Sequence, residues 1–198
     1  METTPSFNIK VYDDFLSNHE KNYVLDYCKY SGYCYGEMDS RETKKITGMV
    51  NEIYSSKKEY LEYNEHQQNF LNIFISKIEL QLPEKIKDLN LYRMYVNCFA
   101  PAENPYFHTD GHKGEVTFLY YPNDFWDIND GGETQLYLNG TLYGIPPIPN
   151  RMIVFDADVL HKATSFRDRH RFTIAFKYGF PTTDNKKIFR FYNKEWTN

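Results

Sequence analysis

The sequence predicts a mainly β fold with flanking helices, a sheet sandwich or jelly roll whose helices pack outside. Three observations lead there. Helical patterns come first and short strand-like runs follow, each bounded by Gly, Pro, Asn or Asp. Asn139-Gly140, between two such runs, is a strong hairpin signal, because a type I′ turn needs positive φ at both central positions. No internal repeat, low-complexity segment or linker divides the chain, so residues 1–198 are expected to form one domain, with a helical part over about 1–88 and a β core over about 89–180.

Ser17-Asn18-His19-Glu20 is a capping-box sequence and should open the first helix. Val24, Leu25 and Cys28 supply its apolar stripe and Gly32 its end. A second helix should run from about Glu65 to Leu82, where Phe70, Leu71, Phe74, Ile75 and Ile78 keep the i, i+4 rhythm and Pro83 stops it. Between them Ser31–Lys58 is polar, carries Gly32, Gly36 and Gly48, and reads as a surface loop or a lid. Strands are expected at Leu91–Phe99, Glu115–Tyr121, Glu133–Leu138, Thr141–Ile145, Met152–Phe155 and Arg171–Tyr178. Pro146-Pro147-Ile148-Pro149 should stiffen a turn between two of them.

Composition narrows the function classes. With 18 Tyr and 15 Phe, large rigid side chains fill the core. A net charge of −4 argues against non-specific duplex binding, which needs many Lys and Arg against phosphates. The lysine pairs at 44–45, 57–58 and 186–187 are scattered and read as solvated surface. Cys28, Cys34 and Cys98 suit neither a disulfide framework nor a zinc site. Their odd number, and an N-terminal stretch without an apolar segment, point to a soluble cytoplasmic protein without a membrane span.

The chemistry sits in the second half. His108 and Asp110 are separated by one residue, so on an extended segment both side chains point the same way. His161 follows the Met152–Phe155 strand and can close a third corner. Two neutral imidazoles and one carboxylate on one side of a metal are the ligand set of non-haem Fe(II) oxygenases. H-x-D alone is a common chance pattern, and zinc accepts the same ligands tetrahedrally. What favours iron with an oxo-acid is Arg171. On its strand, Arg171, Thr173 and Ala175 share one face while Phe172, Ile174 and Phe176 share the other. The bulky face should pack on a helix, and the small polar face should line a cavity. A buried arginine without a carboxylate partner implies an anionic ligand.

In combination these segments resemble the Fe(II)- and 2-oxoglutarate-dependent dioxygenase superfamily, in its prolyl 4-hydroxylase-like branch. The resemblance covers roughly Leu91 to Phe180. It rests on His108-Thr109-Asp110, Phe118-Leu119-Tyr120-Tyr121-Pro122-Asn123-Asp124, Asp130-Gly131-Gly132-Glu133-Thr134, Phe155-Asp156 leading to His161, and Arg171-Phe172-Thr173. The stretch from Tyr120 to Gly132, with Trp126-Asp127 inside it, is similar to the hypoxia-type prolyl hydroxylases.

The resemblance implies a double-stranded β-helix (jelly-roll or cupin-like) core. It implies Fe(II) on His108, Asp110 and His161, and 2-oxoglutarate gripped by Arg171, with Thr173 and Tyr121 beside it and Tyr95 facing the same pocket. For both tyrosines the alternative is a packed core aromatic. It further implies O2 as oxidant, ascorbate as a supporting reductant, and release of succinate and CO2. The intact Asp110 favours hydroxylation, since halogenating relatives free that position. A prolyl residue in a protein or peptide is the expected substrate. The alternatives are a free amino acid or small metabolite, and a non-catalytic metal-binding jelly roll. Membrane and nucleic-acid partners are not expected.

Overall fold

A computed structural model describes residues 9–36, 38, 46–56 and 64–181. Helix α1 spans Asn18–Tyr30, and Ser17 caps it: its side chain accepts from the Glu20 backbone N–H while Glu20 accepts from the Ser17 backbone at 2.8 Å. Helix α2 spans Glu65–Gln81 behind an analogous box made by Asn64 and Gln67, and Pro83 opens a short 3-10 turn that ends it. Both helices bury the stripes expected of them, Val24, Leu25 and Cys28 on one and Phe70, Leu71, Phe74, Ile75 and Ile78 on the other.

The strands are β1 (Lys10–Tyr12), β2 (Cys34–Tyr35), β3 (Met49–Ser55), β4 (Asn90–Phe99), β5 (Val116–Tyr121), β6 (Thr134–Leu138), β7 (Thr141–Ile145), β8 (Arg151–Asp156), β9 (Leu160–Ala163) and β10 (Arg171–Gly179). Among the described residues they form two antiparallel sheets. The larger runs β1-β8-β5-β10-β4-β3-β2 and the smaller β7-β6-β9. Alternation divides the larger sheet's side chains between two cores. Met94, Val96, Phe118, Tyr120, Met152, Val154, Ile174 and Phe176 pack with α1 and α2. Tyr95, Leu119, Tyr121, Ile153, Phe155 and Ala175 point the other way and meet Leu136 and Ile145 of the smaller sheet. This is the double-stranded β-helix with helices outside.

Phe74 is the hinge pin of the outer core. It is fully buried, with ring centroids 4.9 Å from Phe176, 5.1 Å from Tyr120 and 5.6 Å from Phe70. Phe74→Ala should destabilise the protein by about 3–5 kcal/mol, since it loses the transfer free energy of the ring and leaves a cavity between helix and sheet. Urea unfolding of the two proteins measures the difference.

The β6–β7 hairpin turns at Asn139 and Gly140, with φ of 49° and 78°, as the dipeptide predicts. The proline run makes a turn into β8, with Ile148 N–H donating to Pro146 O and Arg151 N–H to Ile148 O.

Two expectations need correction. The part over about 1–88 is not purely helical: it contributes β1 to one edge of the larger sheet and β2 and β3 to the other. The described parts of Ser31–Lys58 are therefore not only loop, because β3 pairs with β4 over six residues of register and β2 pairs with β3. β3 stands near the sheet edge and is mostly half-buried, so its polar residues are tolerated and mask the strand pattern. Residues 37, 39–45 and 57–58 of that segment lie outside the described residues, as do the lysine pairs at 44–45, 57–58 and 186–187. No helix among the described residues is long and apolar enough to cross a membrane.

Candidate metal centre

His108 and His161 are locked together by their own backbones. The His108 N–H donates to His161 O and the His161 N–H returns a bond to His108 O, both at 2.9 Å. This bridge extends β9 by one partner and sets the two rings 4.5 Å apart. Asp110 is fixed the same way, its N–H donating to Ala157 O at 2.8 Å just past β8. Three ligand-bearing residues thus hang from main-chain hydrogen bonds between segments remote in sequence.

The ring tautomers follow from their neighbours. His108 Nδ1 lies 3.0 Å from Tyr106 O, and His161 Nδ1 lies 2.8 Å from Val159 O. A carbonyl only accepts, so each Nδ1 carries the proton and each Nε2 keeps its lone pair. Both Nε2 atoms face Asp110, at 3.6 Å from Oδ1 for His108 and 3.3 Å from Oδ2 for His161. The three ligand atoms lie within 4.8 Å of one another and could hold one metal ion. Ligands about 2.1 Å from a shared ion at neighbouring positions stand about 3 Å apart, so the donor set fits.

Electrostatics agree with that fit. Burial first, and then the neighbouring His161, push the His108 imidazole below its ordinary 6.5, toward the neutral form a metal needs. Burial opposes ionisation of Asp110, yet Lys177, His161 and His108 together hold its carboxyl well below the usual range.

The triad opens on a cavity of about 410 Å³ between the two sheets. Arg171, Thr173 and Ala175 line it, as the strand alternation predicts. Arg171 is 1% exposed. Its Nε donates to Gly132 O at 2.6 Å and its Nη2 to Thr134 Oγ1 at 3.0 Å. Burial lowers its pKa to about 10, and no carboxylate among the described residues lies within ion-pair distance. Gly132 sits at φ 85°, a conformation that favours glycine and aims its carbonyl at the guanidinium.

The tyrosines part company. Tyr95 lines the cavity. Tyr121 does not: it is fully buried, its OH donates to Thr134 Oγ1 at 2.8 Å, and its ring centre lies 5.6 Å from the Arg171 guanidinium. Tyr121 is a core aromatic that steadies the arginine and its acceptor.

The sequence reading missed Lys177, Thr117, Asn97 and Thr134. Lys177 and Thr117 contact Asp110, Asn97 Nδ2 lies 3.5 Å from Thr173 Oγ1, and Thr134 receives Arg171. For Lys177 the signal was present, since it continues the 171, 173, 175 alternation.

Residues 94–178 match the family described as the 2OG-Fe(II) oxygenase superfamily. Among solved structures, the chain is similar to a prolyl hydroxylase from Trichoplax adhaerens in complex with a hypoxia inducible factor peptide fragment. That pair is 18% identical with a TM-score of 0.64, covering 91% of this chain and 87% of the other. It is similar to a prolyl-4-hydroxylase of Pseudomonas putida, at 16% identity and a TM-score of 0.64, over 89% of this chain and 95% of that one. The α-ketoglutarate-dependent epimerase SnoN from nogalamycin biosynthesis shares 11% identity with a TM-score of 0.60, over 88% and 78%. At such identities these neighbours speak for the fold. No curated protein sequence matches the chain. The fold is the one that 2-oxoglutarate-dependent oxygenases use. The match to the 2OG-Fe(II) oxygenase superfamily is thus confined to residues 94–178, and the likeness to the solved structures is one of fold.

Proposed function

We propose that the protein is a 2-oxoglutarate-dependent oxygenase that hydroxylates a substrate C–H, with His108, Asp110 and His161 holding Fe(II) and Arg171 holding the far carboxylate of 2-oxoglutarate. The observation that carries this is the pairing of two features in one cavity: a converging His-Asp-His set and a buried guanidinium without a carboxylate partner among the described residues. The iron, when bound, supplies activation of O2 coupled to decarboxylation of the oxo-acid.

The chain's own contribution is placement. The backbone bridge between His108 and His161 presents both Nε2 atoms, while Gly132 and Thr134 aim Arg171. Thr173 lines the floor near the arginine, Tyr95 walls the cavity, and Tyr121 backs the arginine from behind. The walls of both sheets limit water at the reacting carbon.

A prolyl residue in a protein or peptide is the preferred substrate, supported by the sequence motifs and by neighbours named as prolyl hydroxylases. Hydroxylation of a free amino acid or small metabolite is the second reading, because the same fold serves the nogalamycin epimerase.

The test has two parts. Anaerobic apoprotein given Fe(II) and then 2-oxoglutarate should develop a visible metal-to-ligand charge-transfer band, and absence of the band would sink the oxygenase reading. Proline-containing peptides incubated with Fe(II), 2-oxoglutarate, O2 and ascorbate should gain one oxygen on proline by mass spectrometry. Activity confined to free amino acids replaces the prolyl reading with the second one.

A further inference from the structure

The alternation that sends Arg171, Thr173 and Ala175 into the cavity sends Lys177 there as well. Lys177 is 6% exposed, and its Nζ pairs with Asp110 Oδ2. Its cross-strand neighbour Thr117, on β5, donates Oγ1 to the same oxygen at 2.8 Å. His161 Nε2 approaches that oxygen at 3.3 Å, while Oδ1 faces His108. An ammonium and a hydroxyl arriving from two adjacent strands fix the rotation of a carboxylate whose backbone is itself pinned to Ala157. A lysine on the inward face of a central strand, 7% exposed at its side chain, is costly to bury unless its charge is paired, and its partner here is a carboxylate of the triad.

The charge has two consequences of opposite sign. A cation beside the triad repels a divalent ion placed among His108, Asp110 and His161. The same cation attracts a dianion that joins the loaded centre. Charge pairs at such range change binding strongly even at an effective dielectric of about 20.

We infer that Lys177 is a positioning and charge-setting residue of the metal centre: it fixes the Asp110 carboxylate through Oδ2, weakens divalent-metal binding, and strengthens binding of the dianionic co-substrate. The inference rests on the reading of His108, Asp110 and His161 as metal ligands. It gives the cavity a second buried cation besides Arg171, on the same strand and near its opposite end.

Calorimetric titration tests it with Co(II), which is stable to O2, and then with 2-oxoglutarate added to the Co(II)-loaded protein. In Lys177→Met the Kd for Co(II) should fall roughly tenfold or more, and the Kd for 2-oxoglutarate should rise roughly tenfold or more. Lys177→Arg should return both toward the wild-type values. Lys177→Gln keeps a donor for Asp110 but removes the charge. It should show the same opposed shifts and serves as the second variant if Lys177→Met does not fold. Weakening of both ligands, or no change in either one, overturns the inference, since packing damage alone weakens both. A wild-type protein that takes up no Co(II) overturns the metal reading itself, and the inference with it.

Discussion

Asp110→Ala is expected to abolish divalent-metal binding and also to destabilise the fold by about 3–5 kcal/mol. The reason is Lys177. Both side chains of the pair are nearly dry, 7% exposed for the lysine and 5% for the aspartate. Removing the carboxylate leaves an ammonium between Arg93 on β4 and Thr117 on β5 without its anion. A buried charge that loses its partner costs far more than the pair contributes when intact. The double variant Asp110→Ala/Lys177→Met should therefore recover most of the lost stability while remaining unable to bind metal. Thermal unfolding of the four proteins in the cycle, with Co(II) titrations alongside, separates the two effects. A single variant as stable as wild type would show that the pair is not a buried ion pair in solution. A double variant that still binds Co(II) would remove Asp110 from the ligand set.

Much of this arrangement was legible because the physics is local. The capping box at Ser17 and the i, i+4 stripes announce both helices. Asn139-Gly140 fixes one hairpin, and the alternation in β10 assigns a helix-packed face and a cavity face. What stayed hidden depends on partners distant in the chain. β9 is only four residues long, Leu160–Ala163, and exists through its ladder to β6 and the bridge to His108. β1 is three residues held by β8. Buried Asn150 ties the loop before α1 to the turn before β8, accepting from Leu16 N–H and Tyr120 OH and donating to Leu16 O. Nothing within a few residues of position 150 announces those contacts. The chemistry divides similarly: the triad's spacing shows in the sequence, whereas the Lys177–Asp110 contact needs β10 to lie beside β5 and the loop carrying Asp110 to fold across both.

Arg171→Ala is expected to weaken 2-oxoglutarate binding roughly tenfold to a hundredfold, by about 1.5–3 kcal/mol, while leaving Co(II) affinity near that of wild type. The guanidinium sits under the cavity floor, with Tyr121 and Phe99 rings 5.6 and 6.0 Å away and neutral acceptors on two of its nitrogens. Those acceptors orient the fork but leave its charge uncompensated, so an arriving carboxylate meets a donor that is already aimed and desolvated. Lysine at this position would keep the charge and lose the two-point anchoring by Gly132 and Thr134. Arg171→Lys should therefore fall between wild type and Arg171→Ala. Tyr121→Phe removes only the hydroxyl that donates to Thr134, so its effect on 2-oxoglutarate should be smaller than that of Arg171→Ala. The outcome also separates the two buried cations of the cavity. A loss confined to 2-oxoglutarate is the mark of a group that touches the co-substrate alone, whereas a group acting at Asp110 must move the metal as well. Equal weakening of metal and 2-oxoglutarate in Arg171→Ala would place the arginine's role in the packing of β10 rather than in recognition of the anion.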